Sequence, residues 1–204
     1  MQLLAKLNAT SLFLQELLST PREVGAILPS SQRLSAAMAR WLPRSDGCVL
    51  ELGPGTGPVT GALIARGFDR RRLVLVEFDP RFCRLLEGRF GPVRVIQGDA
   101  YDLPRTLGEF VSANVAAIVS SLPLLNQPPH LRERLIGDAF ALMGRNGVFV
   151  QFTYGLRSPI PREACAGRYS AHCGPPIWLN LPPARVWTYR LVVHPGGRDG
   201  GAAK

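Results

Sequence analysis

Three glycines at alternate positions, Gly53, Gly55 and Gly57, follow an apolar run from Cys48 to Leu52 that already carries a carboxylate, Glu51. Glycines spaced this way let the chain turn tightly after a buried strand and leave bare peptide groups beside a ligand. The acidic residue ahead of them, with no lysine after them, argues against a phosphate loop, which needs a cation and a hydroxyl at the helix start. Glu51 would repel a pyrophosphate and suits a cation bearing an amino group; S-adenosylmethionine has both an ammonium and a sulfonium. Glu77 closes the next apolar run, about 20 residues beyond the glycines, where a doubly wound fold keeps the acceptor for ribose hydroxyls. Phe78 beside it is a candidate for the adenine face, and Asp99, closing a third run, for the adenine amino group. A lone glycine turn can be pure geometry, and one acidic strand end can be a solvated cap. Three carboxylates at successive strand ends point to one nucleotide-like ligand.

The elements that must position these groups alternate between strand and helix. Apolar runs at 48–52, 72–77, 93–100, 115–119, 147–153 and 186–193 read as strands, and 32–42, 59–66, 80–90 and 129–143 as helices. The segment 154–185, rich in Pro, Gly and aromatic residues, is long enough to be functional and to hide a further short strand. The expected fold is α/β: a doubly wound, Rossmann-like, mostly parallel sheet of seven strands in one domain over 22–194. At this point the chain resembles the class I S-adenosylmethionine-dependent methyltransferases.

Residues 1–19 read as an amphipathic helix with leucines on one face, within an N-terminal extension over 1–21, and residues 195–204 as a disordered tail. That helix either packs on the domain or lies in a lipid interface; Asn8 to Ser11 interrupt the apolar core a secretory signal would need. The formal charge is +9 and lysine occurs only at Lys6 and Lys204, so the excess is arginine, which attracts polyanions without choosing among them. No run of 18 apolar residues is present, so a membrane-spanning helix is not expected. The four cysteines show no CxxC spacing, and Cys165, Cys173 and His172 read as loop residues sooner than as a metal site.

Several stretches together resemble the bacterial phospholipid N-methyltransferases of the branch similar to rRNA adenine dimethylases. They are Val24 to Ser31, Glu51 to Gly57, Val76 to Asp79, Gly98 to Ala100, Ser120 to Leu124 and Leu181 to Trp187. The resemblance implies S-adenosylmethionine as donor, with S-adenosylhomocysteine as product, held by Glu51, Gly53, Gly55, Gly57, Glu77, Phe78, Asp99, Ala100 and Ser120. It implies phosphatidylethanolamine as acceptor, methylated up to three times toward phosphatidylcholine. It further implies an enzyme of the cytoplasm, bound peripherally at an anionic lipid surface on the inner face of the membrane, with no nucleic acid or protein partner. The residues offered to the acceptor are Ser121, Tyr154, Tyr169 and Tyr189 at the reaction centre, and Ser30, Ser31, Arg33, Trp178 and Arg185 around the headgroup. The aromatic rings among them suit a cage for methylated ammonium. Tyr101 and His172 join Tyr154, Tyr169 and Tyr189 as candidates to take up the amine proton.

The nearest rival is an rRNA adenine dimethylase or another small-amine methyltransferase, and beyond it a non-catalytic cofactor binder. The adenine enzymes' reaction motif is Asn-Leu-Pro followed by an aromatic, an amide for the target amine and a ring for an extruded base. Here Ser121-Leu122-Pro123-Leu124 supplies neither.

Overall fold

The computed structural model describes residues 29–108, 114–180 and 182–192. The expected helix over 1–19 and the tail over 195–204 lie outside these residues.

Five strands run parallel: β1 (Cys48–Leu52), β2 (Leu73–Glu77), β3 (Arg94–Gln97), β4 (Val115–Ser120) and β5 (Val148–Thr153). Two more, β6 (Tyr169–Cys173) and β7 (Arg185–Leu191), complete a sheet ordered β3-β2-β1-β4-β5-β7-β6, with β7 antiparallel to both its neighbours. The interior strands are near-continuous apolar runs because helices cover both faces. Helices α1 (Pro29–Arg40), α2 (Pro58–Ala65) and α3 (Pro80–Phe90) bury Met38, Leu63 and Leu86 against Val49, Leu75 and Val119 on one face. Helices α4 (Leu103–Leu107) and α5 (Pro129–Met143) and the single turn α6 (Arg162–Cys165) cover the other, where Leu103, Ile136 and Phe140 meet Leu50, Val76 and Phe149.

The seven-stranded, mostly parallel sheet agrees with the expectation, and the strand hidden in 154–185 is β6. Two local readings change. Helix α1 begins at Pro29, so Ser30 and Ser31 occupy its first turn instead of capping it. Strand β3 ends at Gln97, which leaves Gly98, Asp99 and Ala100 in the turn that follows. Arg70–Arg72 form a short 3-10 turn at the start of β2, on the edge opposite the strand end that carries Glu77.

Two glycines show why the turn after β1 has the sequence it has. Gly53 has φ 65° and a Cβ there would sit 2.7 Å from Leu122 Cδ2; Gly57 has φ 82° and a Cβ there would sit 2.3 Å from Phe90 Cε2. Only glycine combines the left-handed backbone with such close approach. The first lets the loop after β4 close over the turn, and the second lets α3 pack against the start of α2.

Candidate functional site

At the carboxyl edge of the parallel strands a cavity of about 310 Å³ is lined by Gly53, Glu77, Phe78, Asp99, Ala100 and Leu122, among others. Crevices outside the carboxyl ends of strands are where open α/β sheets bind ligands. The order β2-β1-β4 places the reversal of winding beside β1, whose glycine turn forms one wall.

Glu77 ends β2 and is 8 % exposed. Its Oε2 accepts the Gly55 N–H at 2.9 Å and its Oε1 accepts the Asp79 N–H at 2.9 Å. Each carboxylate oxygen has a further lone pair, so the backbone bonds fix the group and leave acceptor capacity for ligand hydroxyls. A Cβ on Gly55, at φ 57°, would meet nothing within 4 Å, so open space borders the turn where its peptide meets Glu77. The Phe78 ring stands out at 74 % exposure, free to lie against a flat ligand. Asp99 is held by a turn of its own: its Oδ1 accepts the Tyr101 N–H at 2.8 Å and its carbonyl accepts the Thr106 hydroxyl at 2.7 Å.

Glu51 is placed differently from the expectation. It points to the α2 side of the sheet, is 1 % exposed, and does not line the cavity. Its Oε2 accepts the Thr60 hydroxyl at 2.6 Å while Oε1 is buried with no hydrogen-bond partner among the described residues. Burial pushes its carboxyl up to about 7, against the opposing pull of the Thr60 hydrogen bonds. Glu51 therefore braces β1 to α2 instead of offering an open carboxylate to a cationic ligand.

The loop after β4 forms the other wall. The Ser121 N–H donates to Leu52 O at 2.9 Å, Ser120 is fully buried, and Leu124 is buried at 2 % exposure. Gln151 on β5, which the sequence did not single out, holds this loop. It is fully buried and its Nε2 donates to Leu122 O at 3.0 Å and to Phe152 O at 2.7 Å. Both acceptors are carbonyls, so the amide has one sensible orientation, which leaves Oε1 buried without a partner among the described residues. The signal in the sequence was a lone amide inside the apolar run Val148 to Phe152.

The acceptor-side residues divide. Tyr154 follows β5 at the cavity edge of the sheet, packs edge-on against Phe152 at 5.3 Å and lies beside Asn180. Trp178, 73 % exposed, belongs to the connection into β7, and Arg185 opens β7 and pairs with Thr153 at that same edge. Arg33 is exposed on α1.

Tyr169 and Tyr189 are not there, which corrects the expected cage. Because β7 runs antiparallel to β5, Tyr189 pairs with Phe149 and Tyr169 pairs with Leu191, toward the opposite edge. Both are buried: Tyr169 stacks on Phe140 at 4.9 Å, and the Tyr189 hydroxyl shares a hydrogen bond with Ser158 at 2.8 Å. His172 is exposed on the α1 side of the sheet, against Trp41 at 5.1 Å. Burial pushes the Tyr101 phenol up to about 12 and raises that of Tyr154, so both keep their protons at neutral pH.

The chain is similar in sequence and in fold to known methyltransferases. The ribosomal RNA adenine dimethylase family profile matches residues 27–124. The ornithine lipid N-methyltransferase of Singulisphaera acidiphila is 32 % identical over 146 residues, covering 70 % of this chain and 76 % of that protein. A probable ribosomal RNA small subunit methyltransferase A of Methanospirillum hungatei is 38 % identical over 95 residues, 44 % of this chain, which spans only 36 % of that protein's length. Among solved structures, the glycopeptide N-methyltransferase MtfA complexed with S-adenosylmethionine shares the fold at a TM-score of 0.60 and 12 % identity, over 85 % of this chain and 99 % of that one.

Proposed function

Because this chain belongs to the rRNA adenine dimethylase-like class I S-adenosylmethionine-dependent methyltransferases, we propose that it N-methylates the primary amine of a membrane aminolipid. The observation that carries this is the pairing of that lipid-methylating relative, aligned over most of its length, with a reaction loop in which Leu124 is buried and offers no ring to stack a base. Phosphatidylethanolamine and an ornithine-type lipid are two acceptors that fit this chemistry; each is an acylated lipid that presents a primary amine.

The cavity suits S-adenosylmethionine, since it combines an anchored carboxylate, an exposed ring and a second carboxylate with open space beside Gly55. In this reading Glu77 receives the ribose hydroxyls, Phe78 covers the adenine and Asp99 takes the adenine amino group. Bound S-adenosylmethionine supplies a methyl group on a cationic sulfonium, which only a neutral amine can accept. An alkylammonium has a pKa near 10 by analogy with lysine, so the crevice must favour the neutral form by desolvation. Tyr154 and Tyr101 do not serve as phenolates, because burial holds their protons on. The Tyr154 oxygen and the Ser121 hydroxyl orient the amine by hydrogen bonds, and its proton leaves to water at the crevice mouth. Tyr154 and Trp178 are the rings at the correct edge to receive a methylated ammonium by cation–π attraction, worth about 0.5 to 2 kcal/mol each.

The experiment is transfer of radiolabelled methyl from S-adenosylmethionine, in parallel, to vesicles containing phosphatidylethanolamine, to vesicles containing ornithine lipid, and to unmodified small-subunit rRNA. Label in either lipid supports the proposal and names the headgroup. Label in the RNA alone overturns it.

A further inference from the structure

Among the described residues seven large apolar side chains are exposed, and five of them stand on one edge of the sheet. Phe78 follows β2, Leu125 lies in the turn after β4 and Leu156 follows β5. Trp178 and Leu179 belong to the 174–184 connection, which leaves β6 and enters β7 at that same edge. Their exposures run from 50 % at Leu125 to 84 % at Leu156, so these are projecting tips and not the flanks of a core. Leu125 reaches toward Gly155, where a Cβ would lie 2.9 Å from its Cδ1, so the turns after β4 and β5 present one surface. Arg157, also exposed, follows Leu156 directly, in a chain of formal charge +9. Scattered exposed leucines need no explanation, whereas a cluster on one rim marks an interaction surface.

We infer that this rim docks on an anionic lipid surface, Leu125, Leu156 and Leu179 entering the interfacial layer and Arg157 lying among the headgroups, while the Phe78 and Trp178 rings stay turned to the cofactor and the acceptor. The inference rests on the aminolipid reading and adds the orientation of the molecule. Two features favour a bilayer over a protein. The leucine tips come from three separate loops around the edge where the cavity lies, and a protein seated there would cover the mouth through which an acceptor enters. A bilayer in the same place delivers the acceptor headgroup to that mouth. Apolar tips beside a cation are also the composition that binds anionic membrane interfaces.

The test uses the full chain and the double variant Leu156→Asp, Leu179→Asp, neither residue lining the cavity. Co-sedimentation is measured with vesicles of phosphatidylethanolamine, ornithine lipid and phosphatidylglycerol. Methyl transfer is measured both to those vesicles and to short-chain forms of the two aminolipids dissolved as monomers. The double variant should bind vesicles at least about 10-fold more weakly and lose methyl transfer to them in step, while transfer to the monomeric lipids stays within about twofold. Vesicle binding equal to that of the unaltered chain overturns the inference, and does so in favour of self-association if the variant also changes oligomeric state in gel filtration. Weakened vesicle binding by the variant, with no lipid methylated by the unaltered chain, supports the docking face and rejects the aminolipid acceptor. An unchanged melting temperature shows that the two exposed positions leave the fold intact.

Discussion

The backbone N–H of Gly55 donates to Oε2 of Glu77 at 2.9 Å, across 22 residues of chain, and so ties the glycine turn after β1 to the end of β2. The other oxygen is tied to the Asp79 N–H, so the carboxylate is oriented by the fold before any ligand arrives. Preorganisation of this kind spares the ligand the cost of ordering the group.

Glu77→Ala is expected to weaken S-adenosylhomocysteine binding in calorimetry by about 10-fold or more, as hydrogen bonds to a charged group are worth about 1.5 to 3 kcal/mol. Far-ultraviolet circular dichroism should stay unchanged. Affinity equal to that of the unaltered chain would remove Glu77 from the cofactor site.

Two glycine variants should fail in different ways. Gly57→Ala drives a methyl to 2.3 Å from Phe90 Cε2 at φ 82° and should cost about 2 kcal/mol or more of stability in denaturant unfolding. Gly55→Ala meets no neighbour within 4 Å and should cost only about 1 kcal/mol for its φ of 57°, while cofactor affinity falls. Equal stability loss at both would mean that backbone strain, not contact with Phe90, governs the turn.

Gln151 sets the reaction loop through its bond to Leu122 O, without lining the cavity. Gln151→Glu keeps the shape but turns a carboxylate oxygen toward two carbonyls, so it should lower kcat about 10-fold or more with cofactor affinity retained. Gln151→Met, which removes the bond without adding repulsion, should fall between. A loss confined to cofactor affinity would show that the loop acts on the donor side.

The Glu51 carboxyl, raised from 4.5 to about 7 by burial, makes stability depend on pH. The folded chain binds this proton more tightly than the unfolded chain, so its contribution is full below about 4.5 and is lost as pH rises toward about 7. The loss is on the order of 3 kcal/mol. Glu51→Gln, still an acceptor for the Thr60 hydroxyl, should flatten the pH dependence of the melting temperature over that range. An unchanged slope would show that another group carries it.

The cavity-lining carboxylates Glu77 and Asp99 were legible because strand ends are marked by apolar runs that stop at Glu77 or shortly before Asp99. Direction within the sheet was not legible. Nothing in the period of Val186 to Val193 says that β7 runs against β5, and that reversal carries Tyr169 and Tyr189 away from the cavity edge. Glu51 looked like an open carboxylate because periodicity gives a side chain's face but not what covers it, here α2 and Thr60. Gln151 escaped notice because an amide within a strand shows its purpose only when the carbonyls it serves, Leu122 and Phe152, are brought beside it.

The cavity draws every lining residue from positions 53 to 122, and β5, β7 and β6 join the sheet beyond β4 by backbone pairing. On the proposed reading the cofactor groups, with Ser121, therefore precede Gln127, and the acceptor rings Tyr154 and Trp178 follow it as an acceptor half. A graft joined at Gln127-Pro128, in the extended link before α5, would exchange the acceptor half of two relatives without altering a cavity side chain. If the proposed reading holds, a single crossover exchanges the acceptor rings, provided the incoming β5 brings an amide where Gln151 now holds the loop.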